Sequence, residues 1–249
     1  MIEFRNLHKS FGDSVVLNGV DLLVQEGETL ALLGPSGTGK SVLIKHAIGL
    51  LEPDEGDVVV DGISIATATR KQLRDVRRRL GYVFQNAALF DSLNVAENLW
   101  LAQEGDRGTR RTPECRAEAA ELLRKVNLDE SVLAKYPAEL SGGMRKRVGV
   151  ARAIASRPKY LLWDEPTTGL DPVNADNIDD LIMELNRTLN VTSIVVTHDL
   201  DTAFEVGDRI ALLYEGRIRA NAPPAEILKS TDPVVERFVR RTRLEAEVV

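Results

Sequence analysis

Five short stretches of this chain carry side chains suited to chemistry on a polyphosphate. The first is Gly34-Pro35-Ser36-Gly37-Thr38-Gly39-Lys40-Ser41, of the form G-x-x-x-x-G-K-[ST]. It lies between the apolar run Thr29-Leu30-Ala31-Leu32-Leu33 and the helix-like Val42-Leu43-Ile44-Lys45-His46-Ala47-Ile48. Glycines let the backbone curl until successive N–H groups point at one phosphate. A helix opening near Lys40 turns its positive end toward the same anion. Lys40 is then placed to reach β- and γ-phosphates, and the Ser41 hydroxyl to ligate Mg²⁺. A glycine-rich turn that merely joins a strand to a helix is the plainer reading; the strand before and the helix after favour a nucleoside triphosphate.

The other four stretches supply reacting groups. Asp164-Glu165 ends the apolar run Tyr160-Leu161-Leu162-Trp163. Beside a triphosphate, this pair suggests a division of labour: Asp164 for Mg²⁺, directly or through water, and Glu165 for polarising a water. A helix-capping pair ahead of Pro166 is the competing reading. His198 follows Ser193-Ile194-Val195-Val196-Thr197, where an imidazole can hydrogen-bond a phosphate oxygen. His8 and His46 have no such placement. Gln85 closes the strand-like Leu80-Gly81-Tyr82-Val83-Phe84, and its amide could meet Mg²⁺ or the attacking water, or simply face solvent. Ser141-Gly142-Gly143 opens a helix with a hydroxyl and unobstructed N–H groups, a second anion site. Two anion sites and one such lysine are reconciled if the second serves the nucleotide of another copy. That predicts a head-to-tail dimer with two ATP molecules at an interface of two-fold symmetry.

The elements that must position these groups follow from periodicity. Residues 1–33 alternate as Ile2-Glu3-Phe4, Val15-Val16-Leu17 and Val20-Asp21-Leu22-Leu23-Val24, with turns expected at Gly12-Asp13, Asn18-Gly19 and Glu26-Gly27. This reads as an antiparallel β region. A strand at residues 57–62 follows the turn Pro53-Asp54-Glu55-Gly56, and residues 70–79 form a basic helix. From about residue 86 to 159 helical spacing of Ala, Leu, Glu and Arg takes over, with helices over 117–126 and 145–156 and a polar, mobile loop expected at 104–111. Tyr160 to Glu165 then reads as a strand buried on both faces. A helix over 173–189 and the strand 193–197 follow. Strands alternating with helices imply a parallel sheet with right-handed crossovers, and ligands gather at the carboxyl ends of its strands. Gly34, Gln85, Asp164 and His198 all fall there. Residues 209–220 turn back through Glu215-Gly216, and two short helices close the chain at 224–229 and 233–241.

Composition narrows the class. The 249 residues suffice for one large domain, and 43% hydrophobic with 28% charged residues is ordinary for a globular chain. A net charge of −6 argues against nucleic acid as a partner. The clusters Arg77-Arg78-Arg79, Arg110-Arg111 and Arg145-Lys146-Arg147 read as solvated helix faces, the first two most plainly. The single cysteine, Cys115, excludes a disulfide framework and fits a reducing cytoplasm. No run is apolar enough to span a bilayer, and Met1-Ile2-Glu3-Phe4-Arg5 lacks a signal-peptide core. A soluble chain is expected, with any membrane role exercised through a partner.

Taken together, these motifs resemble the ATP-binding cassette (ABC) ATPases, over about residues 2–220. The resemblance implies an α/β P-loop NTPase (RecA-like) fold: a parallel-sheet core, an N-terminal antiparallel β region and an inserted all-helical subdomain. It implies one domain over 1–240, with 1–86 and 159–223 as core and β subdomain, 87–158 as helical subdomain, and 224–249 as a C-terminal helical tail. By the same match Phe11 resembles the aromatic that stacks on adenine, and residues 34–41 with Val42 the Walker A loop. Gln85 resembles the Q-loop glutamine, and Ser141-Gly142-Gly143 the signature that contacts the partner's nucleotide. Asp164 and Glu165 resemble the Walker B acid and catalytic base, Leu170-Asp171 the D-loop at the dimer interface, and His198 the switch histidine. Two positions depart from the commonest form: Met144 stands where many members have Gln, and Thr168-Gly169 where Ser-Ala often precedes Leu-Asp. Neither removes a catalytic group.

Within the family the text is most similar to the ATPases of Mce/Mla lipid-transport systems. The similar stretches are Gly37 to Val42, Phe84 to Leu93, Gly143 to Arg147 and Val196 to Leu200. This likeness implies ATP and Mg²⁺, a second copy of the chain, integral-membrane permease subunits, a small regulatory subunit and a lipid-binding Mce-type component. It also implies a peripheral location on the cytoplasmic face of the inner membrane. Amino-acid importer ATPases share much of the same text and give the alternative. The segment 86–98, with Leu89, Phe90 and Leu93, is placed to meet a permease or to pack in the core. A soluble ABC ATPase acting on ribosomes or DNA would carry two motif sets or a coiled coil, which this chain lacks. A P-loop kinase would need neither Ser141-Gly142-Gly143 nor Glu165.

Overall fold

The computed structural model describes residues 1–103 and 112–246, with the backbone alone from residue 241. The polar loop expected at 104–111 lies outside the described residues. In chain order the elements are β1 (Ile2–Phe11), β2 (Ser14–Val24), β3 (Thr29–Leu33), α1 (Lys40–Ala47), β4 (Glu55–Val60) and β5 (Ile63–Ser64). Next come α2 (Arg70–Arg79), β6 (Leu80–Val83), α3 (Val95–Gln103), α4 (Pro113–Lys125) and α5 (Gly142–Ile154), with two 3₁₀ turns between α4 and α5. The chain continues through β7 (Tyr160–Asp164), α6 (Pro172–Leu189), β8 (Thr192–Thr197) and α7 (Leu200–Val206). It ends with β9 (Arg209–Tyr214), β10 (Arg217–Ala222), α8 (Pro224–Ile227) and α9 (Pro233–Ala246).

Strands β2-β1-β4-β5 form an antiparallel sheet. A two-residue turn at Gly12-Asp13 joins β1 to β2, with Phe11 opposite Ser14. The turn expected at Asn18-Gly19 is absent. Leu7 pairs with Val20 and His8 with Asn18, so Gly19 is an extra residue inside β2. The buried residues show why. Leu17 and Val20 both face the core although three positions apart, and so do Phe4 and Leu7. A strand's side chains alternate with period two, so each spacing needs one bulged residue to restore phase. Gly19 (φ +77°) and Asn6 (φ +42°) take those positions. The strand expected at 57–62 starts earlier and stops at Val60, and Asp61-Gly62 turns into β5.

The second sheet has the order β10-β9-β3-β8-β7-β6. All neighbours are parallel except the edge pair β9–β10. Its central strands are buried along their whole length, as a parallel sheet covered on both faces must be. Successive residues divide between the layers. Leu30, Leu32, Tyr160, Leu162, Ile194 and Val196 pack with α1 and the antiparallel sheet. Leu161, Trp163 and Val195 pack on the other face with residues of α3, α4, α5 and α6. Ala31 and Leu33 meet α7 and α9. The helices between β6 and β7 therefore share one apolar cluster with the sheet. Among the described residues no helix is long and apolar enough to cross a membrane.

Candidate nucleotide site

The loop between β3 and α1 owes its shape to close approach. A Cβ on Gly34 would lie 2.4 Å from the Leu213 carbonyl oxygen of β9. One on Gly39 would lie 2.6 Å from Val16 Cγ1 of β2, at a φ of +97° that a side chain also disfavours. The Thr38 hydroxyl donates to the Pro35 carbonyl at 2.9 Å. Lys40 is only 3% exposed. Its ammonium donates to the carbonyls of Gly34 (2.8 Å) and Pro35 (2.9 Å) and lies 3.7 Å from Glu165 Oε1. Burial pushes the Lys40 pKa down, and the carboxylates of Glu165 and Asp164 oppose that shift.

Ser41, one residue on, reaches the end of β7. Its hydroxyl donates to Asp164 Oδ1 at 2.5 Å. The other carboxylate oxygen, Oδ2, accepts from the Tyr82 phenol of β6 at 2.8 Å. Burial, then the Asp164 charge, push the phenol well above its ordinary value. Glu165 leaves the strand with φ +49°, unusual for a long side chain. The turn is held from two sides. The Glu165 N–H donates to the Val196 carbonyl of β8 at 3.0 Å. The Lys146 ammonium, from α5, donates to the carbonyls of Pro166 (2.7 Å) and Thr168 (2.9 Å). So placed, Glu165 Oε2 accepts from the Thr168 hydroxyl at 2.9 Å and lies 3.3 Å from His198 Nδ1. The helix-capping reading of Asp164-Glu165 is not what these side chains do. Asp171, not either of them, caps α6, accepting from the Asn174 N–H at 3.2 Å and its amide at 2.6 Å.

Lys40, Ser41, Asp164, Glu165 and His198 thus meet in one contiguous set of contacts. The remaining sequence candidates stand outside it. Gln85 is exposed in a turn two residues past the end of β6, so the strand it was expected to close stops at Val83. Phe11 sits at the tip of the β1–β2 hairpin, 49% exposed, with Lys9 Nζ 5.6 Å from its ring centroid. Val42 packs partly buried against the layer beneath α1. Ser141 and Gly142 are exposed, and the Ser141 oxygen caps α5 by accepting from the Met144 N–H at 3.2 Å. A Cβ on Gly143 would lie 3.3 Å from Asn174 Oδ1, so the start of α5 abuts the start of α6 beside Asp171. Among the described residues no hydrogen bond joins Ser141, Gly142 or Gly143 to the loop at 34–41.

Sequence reasoning missed Tyr82, Thr168 and Lys146. Tyr82 emerges only from the register of β6 on β7. It pairs with Leu162, and Asp164 lies two residues beyond Leu162, hence on the same face. The donor set suits a hard cation: Ser41 Oγ and Asp164 Oδ1 are oxygen atoms 2.5 Å apart, and Mg²⁺ selects such oxygens as ligands.

The sequence matches the family model described as ABC transporter over residues 17–168. Curated relatives include the probable ribonucleotide transport ATP-binding protein of Mycobacterium bovis, 40% identical over 98% of this chain and 67% of that protein. Another is the methionine import ATP-binding protein of Caulobacter vibrioides, 41% identical over 96% of this chain and 72% of that protein. Among solved structures, a dimeric ATP-binding cassette in a post-hydrolysis state with ADP and Pi superposes with a TM-score of 0.81. It is 34% identical and covers 90% of this chain and 99% of its own. The structure of cbiO1 from Clostridium perfringens, part of the ABC transporter complex cbiONQ, gives 0.81 at 29% identity over 99% and 98% of the two chains. With loop, acids and histidine in one site and the family matched over most of its length, the chain belongs to the ABC transporter family, as an ATPase that forms the ATP-binding subunit of a transporter.

Proposed function

We propose that two copies of this chain close head to tail on two ATP molecules and hydrolyse them to drive movement of a lipid through permease partners. The observation that carries the hydrolytic reading is the Glu165 carboxylate, 3.7 Å from Lys40 Nζ on one side and 3.3 Å from His198 Nδ1 on the other. A base at that point lies beside a lysine that binds the γ-phosphate and an imidazole that can bond its oxygen. Glu165 accepts a proton from the attacking water, and its turn is fixed beforehand by Val196 and Lys146. Lys40 and the N–H groups of residues 34–41 hold the phosphates, and His198 steadies the γ-phosphate oxygen. Ser41 and Asp164, with Gln85 brought in, would hold Mg²⁺, which would neutralise negative charge on the phosphates. Phe11 stacks on adenine, and Val42 backs the loop.

The Ser141-Gly142-Gly143 stretch, exposed at its first two residues, completes the site of the second copy, with Asp171 at the same interface. The abutting starts of α5 and α6 put both on one surface. The solved dimeric cassette supports this arrangement by its likeness. The segment 86–98, between the ATP site and the helices of 87–158, passes closure on to the permeases, on the cytoplasmic face of the inner membrane. Lipid as cargo rests on the likeness of Phe84 to Leu93 and Gly143 to Arg147 to Mce/Mla ATPases; a small regulatory subunit and a lipid-binding Mce-type component complete that assembly. Methionine or another small solute is the alternative, supported by the methionine import proteins among the relatives.

One substitution tests the mechanism. Glu165→Gln is expected to keep ATP binding, trap a dimer visible by light scattering, and lower steady-state hydrolysis by roughly a thousandfold. Turnover within tenfold of the parent would remove Glu165 from its role. Lipids co-purifying with the chain and its permeases from native membranes decide the cargo.

A further inference from the structure

We infer that Tyr82 is a positioning residue for the metal-holding carboxylate, fixing the orientation of Asp164 from the neighbouring strand. This rests on the reading of Ser41 and Asp164 given above. The Asp164 side chain has two oxygens, and each has one neutral donor: Ser41 Oγ on Oδ1 at 2.5 Å and Tyr82 Oη on Oδ2 at 2.8 Å. A carboxylate can only accept, so the phenol must be the donor in this contact. The Ser41 hydroxyl is itself a metal ligand in the proposed site: a lone pair would face the cation while its proton stays on Oδ1. One donor on one oxygen leaves the carboxylate free to turn about that contact. The Tyr82 bond on Oδ2 is the second point, supplied by a different strand, that fixes its plane.

The rest of Tyr82 is built to hold that donor still. The residue sits in β6, in register with Leu162 of β7, so phenol and carboxylate rise from the same face of two hydrogen-bonded strands. Its ring packs against Phe84, with centroids 4.4 Å apart, and against the apolar layer that contains Leu162 and Val196. The chain leaves the sheet at Val83, one residue beyond Tyr82, and Gln85 follows in a turn. The strand that carries the phenol is thus the strand that leads into the segment 86–98. A shift of that segment's root acts on Asp164 through the phenol.

The experiment compares Tyr82→Phe with the parent and with Asp164→Asn. A non-hydrolysable ATP analogue is titrated with and without Mg²⁺, and Mn²⁺ bound to the analogue complex is read by electron paramagnetic resonance. Tyr82→Phe is expected to leave metal-free nucleotide affinity unchanged and to lower the unfolding midpoint by only about 2–4 °C, the scale of one lost hydrogen bond. The cation is expected to bind about tenfold more weakly, as loss of an outer partner of a ligand typically does, with a broadened Mn²⁺ spectrum. Asp164→Asn should show a larger loss in the same direction. Unchanged cation affinity in Tyr82→Phe, beside a clear loss in Asp164→Asn, overturns the inference alone. Unchanged affinity in both variants overturns the reading of Asp164 beneath it. If Tyr82→Phe unfolds, Tyr82→Met in the same titrations replaces it, and a parental cation affinity there overturns the inference equally.

Discussion

Lys40 and Asp179 are each 3% exposed, yet the fold treats their charges in opposite ways. Lys40 has two carbonyls within hydrogen-bonding distance and two carboxylates nearby that oppose its loss of charge. Asp179, in α6, has one donor, the Thr202 hydroxyl of α7 at 2.7 Å. Its other oxygen is buried without a partner among the described residues. The charges that face it are Glu205 within α7, Asp199 just before it, and Asp176 on its own helix, all acidic. Burial, the largest cause, pushes its pKa up to about 7. Depth alone therefore says little about a buried charge. At the proposed phosphate site the cation is retained, by the carbonyls and carboxylates around it. In the seam between α6 and α7, the proton is retained instead.

Three substitutions press on that contrast. Lys40→Met has the largest expected effect: ATP affinity measured by calorimetry should fall roughly a hundredfold, the scale of a lost charged hydrogen-bond partner. Stability in urea should stay within about 1 kcal/mol, because Met fills the volume with no charge to bury. Retained ATP affinity would place Lys40 with Asp179, as a merely buried charge.

Asp179→Asn comes next. The native carboxyl holds its proton up to about pH 7, whereas the unfolded one releases it near 3.8. Between those values the native state binds more protons, so the parent loses stability as pH rises and bears the full cost above about 7. The amide carries no such penalty. Asp179→Asn should stabilise the chain by roughly 2 kcal/mol at pH 8 and flatten the slope between pH 4 and 7. An unchanged slope would show that the seam admits water.

Thr202→Val is the smallest and the sharpest. The hydroxyl favours the charged form, so its loss should lift the Asp179 midpoint above about 7. It should cost about 1 kcal/mol of stability. A ¹³C titration of the Asp179 carboxyl resolves the shift, and a midpoint that falls would contradict the hydrogen bond's assigned direction.

Much of this was legible in the sequence, for reasons that differ by residue. The loop at 34–41 is local, so its glycines, lysine and serine announce their roles without knowledge of the rest of the fold. Asp164, Glu165 and His198 were legible because parallel strands put their carboxyl ends side by side. Tyr82 was hidden: its part depends on which strand neighbours β7, and no periodicity in β6 states that. Lys146 was hidden more deeply. It read as a solvated member of Arg145-Lys146-Arg147, and only packing of α5 under the turn after Glu165 turns its ammonium to Pro166 and Thr168. The bulges at Asn6 and Gly19 show the same limit. Asn18-Gly19 has the chemistry of a hairpin turn, but the spacing of Leu17 and Val20 needed a phase correction there, and tertiary burial overrode the local signal.

The clearance at Gly34 has a wider consequence. Its missing methyl group would sit 2.4 Å from the Leu213 carbonyl, and the turn beyond Leu213 is tied to β2 by the bond from the Asn18 N–H to the Gly216 carbonyl at 2.8 Å. The β9–β10 hairpin, far along the chain, thus acts as a gauge block against which the phosphate loop is seated. Lengthening the turn at Glu215-Gly216 by one residue would reset that seat. The nucleotide grip of this ATPase can be retuned from the last fifth of the chain, leaving every residue of the loop as it is.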